Sequence, residues 1–262
     1  MTVRSLGMAA SALLLACVSA CTTSAVAKAA PVARCEEVDP AAKVDPDAIA
    51  KSWKNPPPIA LAMGADRHER LRALLARGED PNVCLLGSSP LAVSATGGDL
   101  EEVRILLDGG ATPDRPRNSN GGTPLLDALE AGQYAAARLL IERGADVRVV
   151  ADGDMTALYA LADAYGLPEP HPAQVDMARA LIDHGAAVDT PMGRQRITPL
   201  MIAAIRGHVD LVRLLLAHGA DPRSQDGKGR TALTLATTKG HADVAQVLSA
   251  AMASAASASS SR

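Results

Sequence analysis

Any chemistry in this chain must come from its histidines, cysteines and carboxylates, and their spacing offers few constellations. His208 and Asp210 stand two residues apart in Gly207-His208-Val209-Asp210, the raw material of an acid–base pair. Glu169 and His171 share a proline-rich stretch and could supply two metal ligands. A third ligand is missing there, and zinc takes three or four protein groups. No Cys-x-x-Cys, His-Glu-x-x-His, Gly-x-Ser-x-Gly or phosphate-loop arrangement occurs. We therefore assign no catalytic, cofactor-binding or metal-binding residue, and the chain is not expected to be an enzyme.

What positions these residues is an internal repeat. Helix-start triplets recur at Pro57-Pro58-Ile59, Ser89-Pro90-Leu91, Thr123-Pro124-Leu125, Thr156-Ala157-Leu158, Thr198-Pro199-Leu200 and Thr231-Ala232-Leu233, at spacings of 32, 34, 33, 42 and 33. A hydroxyl before proline can cap a helix whose first turn has spare N–H groups. Gly98, Gly132, Gly207 and Gly240 follow 9 residues after the triplet starts, where a left-handed residue can end the first helix. A second helix follows, with apolar stripes such as Leu211, Leu214 and Leu215. A further glycine closes it at 78, 110, 144, 185 or 219.

The stretch from Thr198 to Pro222, with its Thr-Pro-Leu start, Gly-His turn, Leu-rich helix and Gly-Ala-Asp exit, closely resembles one ankyrin repeat. The match extends from about 57 to 250. The resemblance implies an all-α solenoid of about six stacked helix-turn-helix repeats over 57–253, joined by short hairpin-like connections. It implies a binding module and no fixed ligand. His208 and His241 then fall in the turn, where the family has a helix-turn hydrogen bond. His184 and His218 precede the closing glycines, and only His68 and His171 stay unassigned. Composition agrees with thin layers of close-packed helices, since 48% of residues are apolar, 2% are aromatic and none is Phe.

Function is expected where the pattern fails. In the fourth repeat, 29 positions separate Thr156 from Gly185 against 21 elsewhere, and the excess centres on 165–172, a loop that three prolines keep from becoming helix. Tyr159 replaces the usual inner-helix histidine and Tyr165 opens the insertion. With His171 they form a candidate contact patch, unless Tyr159 merely packs between inner helices. The connections carry Arg115, Arg117, Arg194, Arg196, Arg223, Lys228 and Arg230, with Asp152 and Asp154 interrupting the series. Along the concave edge these form either a basic strip for an acidic partner or a plain solvated face.

The N-terminus is a separate matter. Met1–Ala20 has one arginine, Arg4, before an apolar run and reads as a secretory signal. Val18-Ser19-Ala20-Cys21 resembles a lipobox, which makes Cys21 the lipidated first mature residue. Thr22 after it favours the outer membrane, and Ala25-Val26-Ala27 is the competing site, giving a soluble periplasmic protein. Residues 21–44 read as a flexible tether and 45–56 as an N-terminal cap. In an oxidising compartment Cys35 and Cys84 either pair or remain unrelated thiols. Residues 254–262 are expected to be disordered.

These features together lead us to expect a non-catalytic, periplasm-facing scaffold, monomeric when unbound, that needs no cofactor and regulates or inhibits an envelope enzyme or toxin. Assistance to oxidative-stress enzymes and tethering to peptidoglycan are the alternatives. A formal charge of −3 argues against nucleic acid as the ligand.

Overall fold

The computed structural model describes residues 57–259 except 65–66, 86, 117–120 and 165–171, with side chains described as far as Ser254. The signal, the tether and the 45–56 cap lie outside the described residues. Eleven α-helices are present among the described residues, and pairing between extended segments is limited to isolated bridges. The helices are α1 (His68–Ala76), α2 (Pro90–Gly97), α3 (Leu100–Asp108), α4 (Pro124–Glu130), α5 (Tyr134–Glu142), α6 (Ala157–Ala162), α7 (Pro172–Asp183), α8 (Pro199–Arg206), α9 (Val209–Ala217), α10 (Ala232–Lys239) and α11 (Ala242–Ser259). The all-α repeat solenoid expected from the sequence is the fold observed.

Local chemistry starts the first helix of repeats two to six. Ser89, Thr123, Thr156, Thr198 and Thr231 are extended, and each hydroxyl accepts from the amide three residues on. Gly98, Gly207 and Gly240 end α2, α8 and α10 at φ of 74°, 84° and 81°. Gly207 is needed twice over, because a Cβ there would sit 2.7 Å from the His241 ring. That ring reaches back across the repeat boundary, its Nε2 lying 3.0 Å from the Ile205 carbonyl.

First helices pack on first helices (α2, α4, α6, α8, α10) and second helices on second helices (α1, α3, α5, α7, α9, α11). Between the rows run columns of wholly buried side chains. Leu106, Leu140, Leu181 and Leu215 form one, and Leu71, Val103, Ala137, Ala178 and Val212 form another. Each member is four or seven residues before a closing glycine. A helix pair alone would leave such a column open to water, so each repeat depends on its neighbours.

The structure corrects the two ends of the sequence reading. The first repeat has no capped first helix, only a 3-10 turn at Ala60–Ala62, since Ile59 at its start has no hydroxyl to accept an amide. Pro57 and Pro58 remove two N–H groups, and Gly64 at φ 113° breaks the chain soon after. At the other end α11 continues to Ser259, past the 253 boundary drawn from composition. Alanine is the best helix former, and here it only extends a helix already nucleated by packing.

In the fourth repeat α6 is 6 residues long and α7 is 12. No glycine stands 9 residues after Thr156. Instead buried Gln174 donates its Nε2 to the Leu161 carbonyl at 2.9 Å, closing the end of α6 from across the insertion.

A second line of bonds ties successive connections together. The Thr112 amide donates to Asn82 Oδ1 at 2.8 Å, the Asp146 amide to Asp114 Oδ1 at 3.0 Å, and the Asp221 amide to Asp189 Oδ2 at 2.7 Å. Burial raises the pKa of Asp114 and Asp189; the accepted amide opposes this, and the next carboxylate, Asp146 or Asp221, adds to it. At the third connection the same register holds Arg148, which has no acceptor, so this ladder breaks between repeats three and four. Arg148→Asn restores an acceptor opposite the Ala187 amide. It is expected to raise stability by about 1 kcal/mol, because the exposed Arg148–Asp146 pair it removes contributes little. Urea unfolding would measure the change, and a lower midpoint would refute the account.

Candidate partner-binding surface

Each connection ends in a tip, and the tips differ in whether their charges are already used. Arg115 is half-buried and turned inward, with its Nη2 donating toward Cys84 Sγ at 3.5 Å. Arg148 is bound by Asp146 at 2.9 and 3.3 Å. Arg230 closes on Asp226, whose buried carboxylate also accepts the Lys228 and Arg230 amides at 2.8 Å. Those bonds hold the Asp226 carboxyl below its ordinary pKa, the Arg230 amide foremost among the causes and burial opposing them.

Four of the cations named from sequence remain. Arg194, Arg196, Arg223 and Lys228 are exposed. Among the described residues their side chains form no hydrogen bond or ion pair, although the Arg223 amide donates to Asp221 and the Lys228 amide to Asp226. All four belong to the connections on either side of repeat five. The structure therefore narrows the basic strip to two adjacent tips. Arg117, Tyr165 and His171 lie outside the described residues, as do Cys21 and Cys35.

Those two tips are locked together. The Gly227 amide donates to the Gln195 carbonyl at 2.7 Å, and a Cβ on Gly227 would lie 3.2 Å from the Arg194 carbonyl. The preceding tip is also adjacent, since a Cβ on Gly193 would lie 3.6 Å from the Gly153 carbonyl. That third tip exposes Asp152 and Asp154, and Val150 beside them is 53% exposed, the more exposed of two large apolar residues at the surface among the described residues.

Backbone conformation marks the same place. The residue two before each helix-start hydroxyl is left-handed: Gly87, Gly121 and Gly229 at φ of 82°, 66° and 73°, but Asp154 at 64° and Arg196 at 52°. Glycine adopts this region freely, whereas a residue with a Cβ is disfavoured there by roughly 1–2 kcal/mol, less for Asp. Arg196 therefore stands where the fold would prefer glycine. Sequence reading named Arg196 but could not see this, because only the register shared with three glycines exposes it.

Tyr159 is half-buried and packed against the core, so its ring serves stability as well as the surface of the first-helix row. Tyr134, passed over in the sequence, is buried. Outside the tips, His68 Nε2 lies 3.0 Å from Asp99 Oδ2, a pairing that resembles half of a catalytic relay. Asp99 is the N-cap of α3, however, and its other oxygen accepts the Glu102 amide at 3.0 Å. Buried Ser94 donates to the Pro90 carbonyl at 2.9 Å. Glu102 is also buried and accepts the Gly64 amide at 2.9 Å, fastening the first repeat to the second. These groups make a junction. Cys84, at the same boundary, is disulfide-bonded to a cysteine outside the described residues.

A cleft of about 580 Å³ separates α7 from α9, lined by Val175, Arg179, Leu211, Leu214 and His208 among others. No group of three histidine, cysteine or carboxylate side chains among the described residues could hold a metal ion.

Two rows of stacked helix pairs with projecting tips define a repeat scaffold of the protein-binding kind. The ankyrin repeats family model matches residues 59–151, 153–226 and 171–257, and the chain belongs to that family. It is 32% identical over 128 residues to the human Ankyrin repeat domain-containing protein 63, covering 49% of this chain and 33% of that protein. Over 221 residues it is 31% identical to the Caenorhabditis elegans Ankyrin repeat and KH domain-containing protein mask-1, covering 74% of this chain and 8% of that protein. Over 112 residues it is 34% identical to the human Palmitoyltransferase ZDHHC13, covering 43% of this chain and 17% of that protein. The chain thus spans a third or less of the length of these relatives. Ankyrin repeats are protein-interaction modules, generally without catalytic activity of their own.

His208, buried at the start of α9, gives the fold a pH dependence. Burial, then the charges of Arg206 and His241, lower its pKa to about 4 from an ordinary 6.5. Between these values the unfolded chain holds a proton that the folded chain does not, so stability falls as pH drops from 6.5 to about 4. The loss is expected to reach about 2–3 kcal/mol, and His208→Gln is expected to remove it. Chemical melts of both proteins across this range would decide, and parallel pH profiles would refute the assignment.

Proposed function

We propose that this ankyrin scaffold faces the periplasm and holds an envelope enzyme or toxin, regulating or inhibiting it through its tips and first-helix row. The observation that carries the reading is the set of four unpaired cations on two tips locked side by side. Rigid, unneutralised charge at a projecting surface is what a recognition face requires, since little ordering cost then attends binding. The Cys84 disulfide suits an oxidising compartment. In this reading Cys35 is its partner.

The placement rests on Met1–Ala20 as a signal and on Cys21 as the lipidated residue that anchors the domain to the outer membrane. Cys21→Ser is expected to abolish incorporation of a labelled fatty acid and to release the domain into the soluble periplasmic fraction. Labelling that persists in the variant would remove the anchor from the proposal.

The binding face is tested by photo-cross-linking in cells. A photoactivatable residue at position 159 or 223 is expected to trap one discrete protein, whereas the same residue at Arg138 or Arg179 on the second-helix row is expected to trap none. Equal yields from both rows would overturn the assignment of the face, and no adduct from any position would overturn the scaffold reading. Cross-linking to peptidoglycan instead would favour a tether.

A further inference from the structure

From the tips we propose a partner class: the bound segment is dipolar, with a run of acidic residues lying over Arg194, Arg196, Arg223 and Lys228, and a basic residue facing Asp152 and Asp154. This rests on the scaffold reading above and adds the chemistry and direction of what is bound.

Three observations carry it. First, the unpaired charges divide by tip, with Asp221 the exposed carboxylate that shares a connection with Arg223 and Lys228. The tip of the third connection exposes two carboxylates, and the next two tips expose four cations with no internal partner. Arg230 on the second basic connection and Arg148 on the acidic one are bound by Asp226 and Asp146, and Arg115 is turned toward Cys84, so the unpaired set is not a general property of the described loop cations. Second, the three tips are contiguous and two are bonded backbone to backbone, which fixes the order acidic, basic, basic along the array.

Third, Asp154 and Arg196 take the left-handed position that glycine fills at the other three connections. The two charged exceptions carry opposite signs and fall on the acidic and the first basic tip. Both residues close tight turns, Asp154 within the Ala151–Met155 pairing and Arg196 with its amide donating to the Gly193 carbonyl at 3.0 Å, so each charge stands at a fixed place on its tip.

Other anionic partners fit this pattern less well. A phospholipid surface or a polynucleotide is negative throughout, and Asp152 and Asp154 would repel it beside the very cations that attract it. A polypeptide can match both signs within one segment, and exposed Val150 offers it an apolar contact at the acidic end.

The probe is a fluorescent extended peptide with an acidic block at one end and lysines at the other, titrated by anisotropy against the full chain. An alternating peptide of the same composition is the control. The block peptide is expected to bind at least about tenfold more tightly at low salt, with much of the advantage lost at physiological ionic strength. Arg196→Gly is expected to weaken it several-fold while leaving the thermal midpoint unchanged or higher. Asp154→Lys is expected to weaken the block peptide and to strengthen an all-acidic one.

Equal binding of block and alternating peptides would overturn the inference. So would tighter binding of phosphatidylglycerol vesicles or oligothymidine, or Arg196→Gly binding like the parent. A discrete protein cross-linked from position 159 in any of these cases would leave the scaffold reading standing and remove only the dipolar partner.

Discussion

The structure depends on the burial of leucine, valine and alanine columns between successive helix pairs. A single pair would expose its column on two sides, and nothing in a chain with almost no aromatic residues could compensate by filling a thicker core. The small size of alanine sets how close the rows approach. Close approach in turn favours backbone groups at a repeat boundary that find a partner in the adjoining repeat. The carboxamide and carboxylate ladder at Asn82, Asp114 and Asp189, the His241 bond to the Ile205 carbonyl and the Glu102 bond to the Gly64 amide all supply such partners. They are consequences of stacking before they are causes of stability.

The fourth repeat shows how far the rule can bend. Its first helix is short, its turn lacks the left-handed glycine, and the ladder entering it is broken at Arg148. Even so, Leu158, Leu161, Met177, Ala178 and Leu181 remain buried. Gln174 restores one lost turn bond, and the Arg206–Asp163 pair, at 2.6 Å, spans the next boundary. Apolar columns persist through an insertion because they need only i, i+3 spacing within each helix. Hydrogen-bonded boundary contacts need one particular residue opposite another, so they fail first.

This distinction also explains what was legible from sequence. Caps and turn glycines are set by neighbours within a few residues, and the repeat pattern taken from Thr198 to Pro222 locates the capping hydroxyls of repeats two to six; in the first repeat Pro57-Pro58-Ile59 mimics the triplet without its hydroxyl. The eventual length of α11 was hidden because the same alanines suit both a coil and an extension of an existing helix. The tips were harder. Arg148, Arg230 and Arg194 look alike in a one-dimensional reading. Whether a carboxylate reaches the guanidinium depends on the turn geometry, which puts Asp146 and Asp226 within reach of the first two and leaves Arg194 with the uncharged Gln195. Among the described residues, the cations named from the sequence therefore divide into those that are engaged within the fold, Arg115 and Arg230, and those that are not.

Recognition and stability are consequently separable along most of this chain, since the unpaired charges stand on tips outside the buried columns. Any of the four could change sign without disturbing Leu215 or Val212. Arg196 is the exception, because the conformation it must adopt is one that the fold reserves for glycine at three of five connections. Selection for folding alone favours glycine at that position, and a solvated charge needs no special backbone, having Arg194 two residues away. Arg196 keeps that backbone because the turn requires it, its amide donating to the Gly193 carbonyl at 3.0 Å between the mutually bonded Met192 and Ile197.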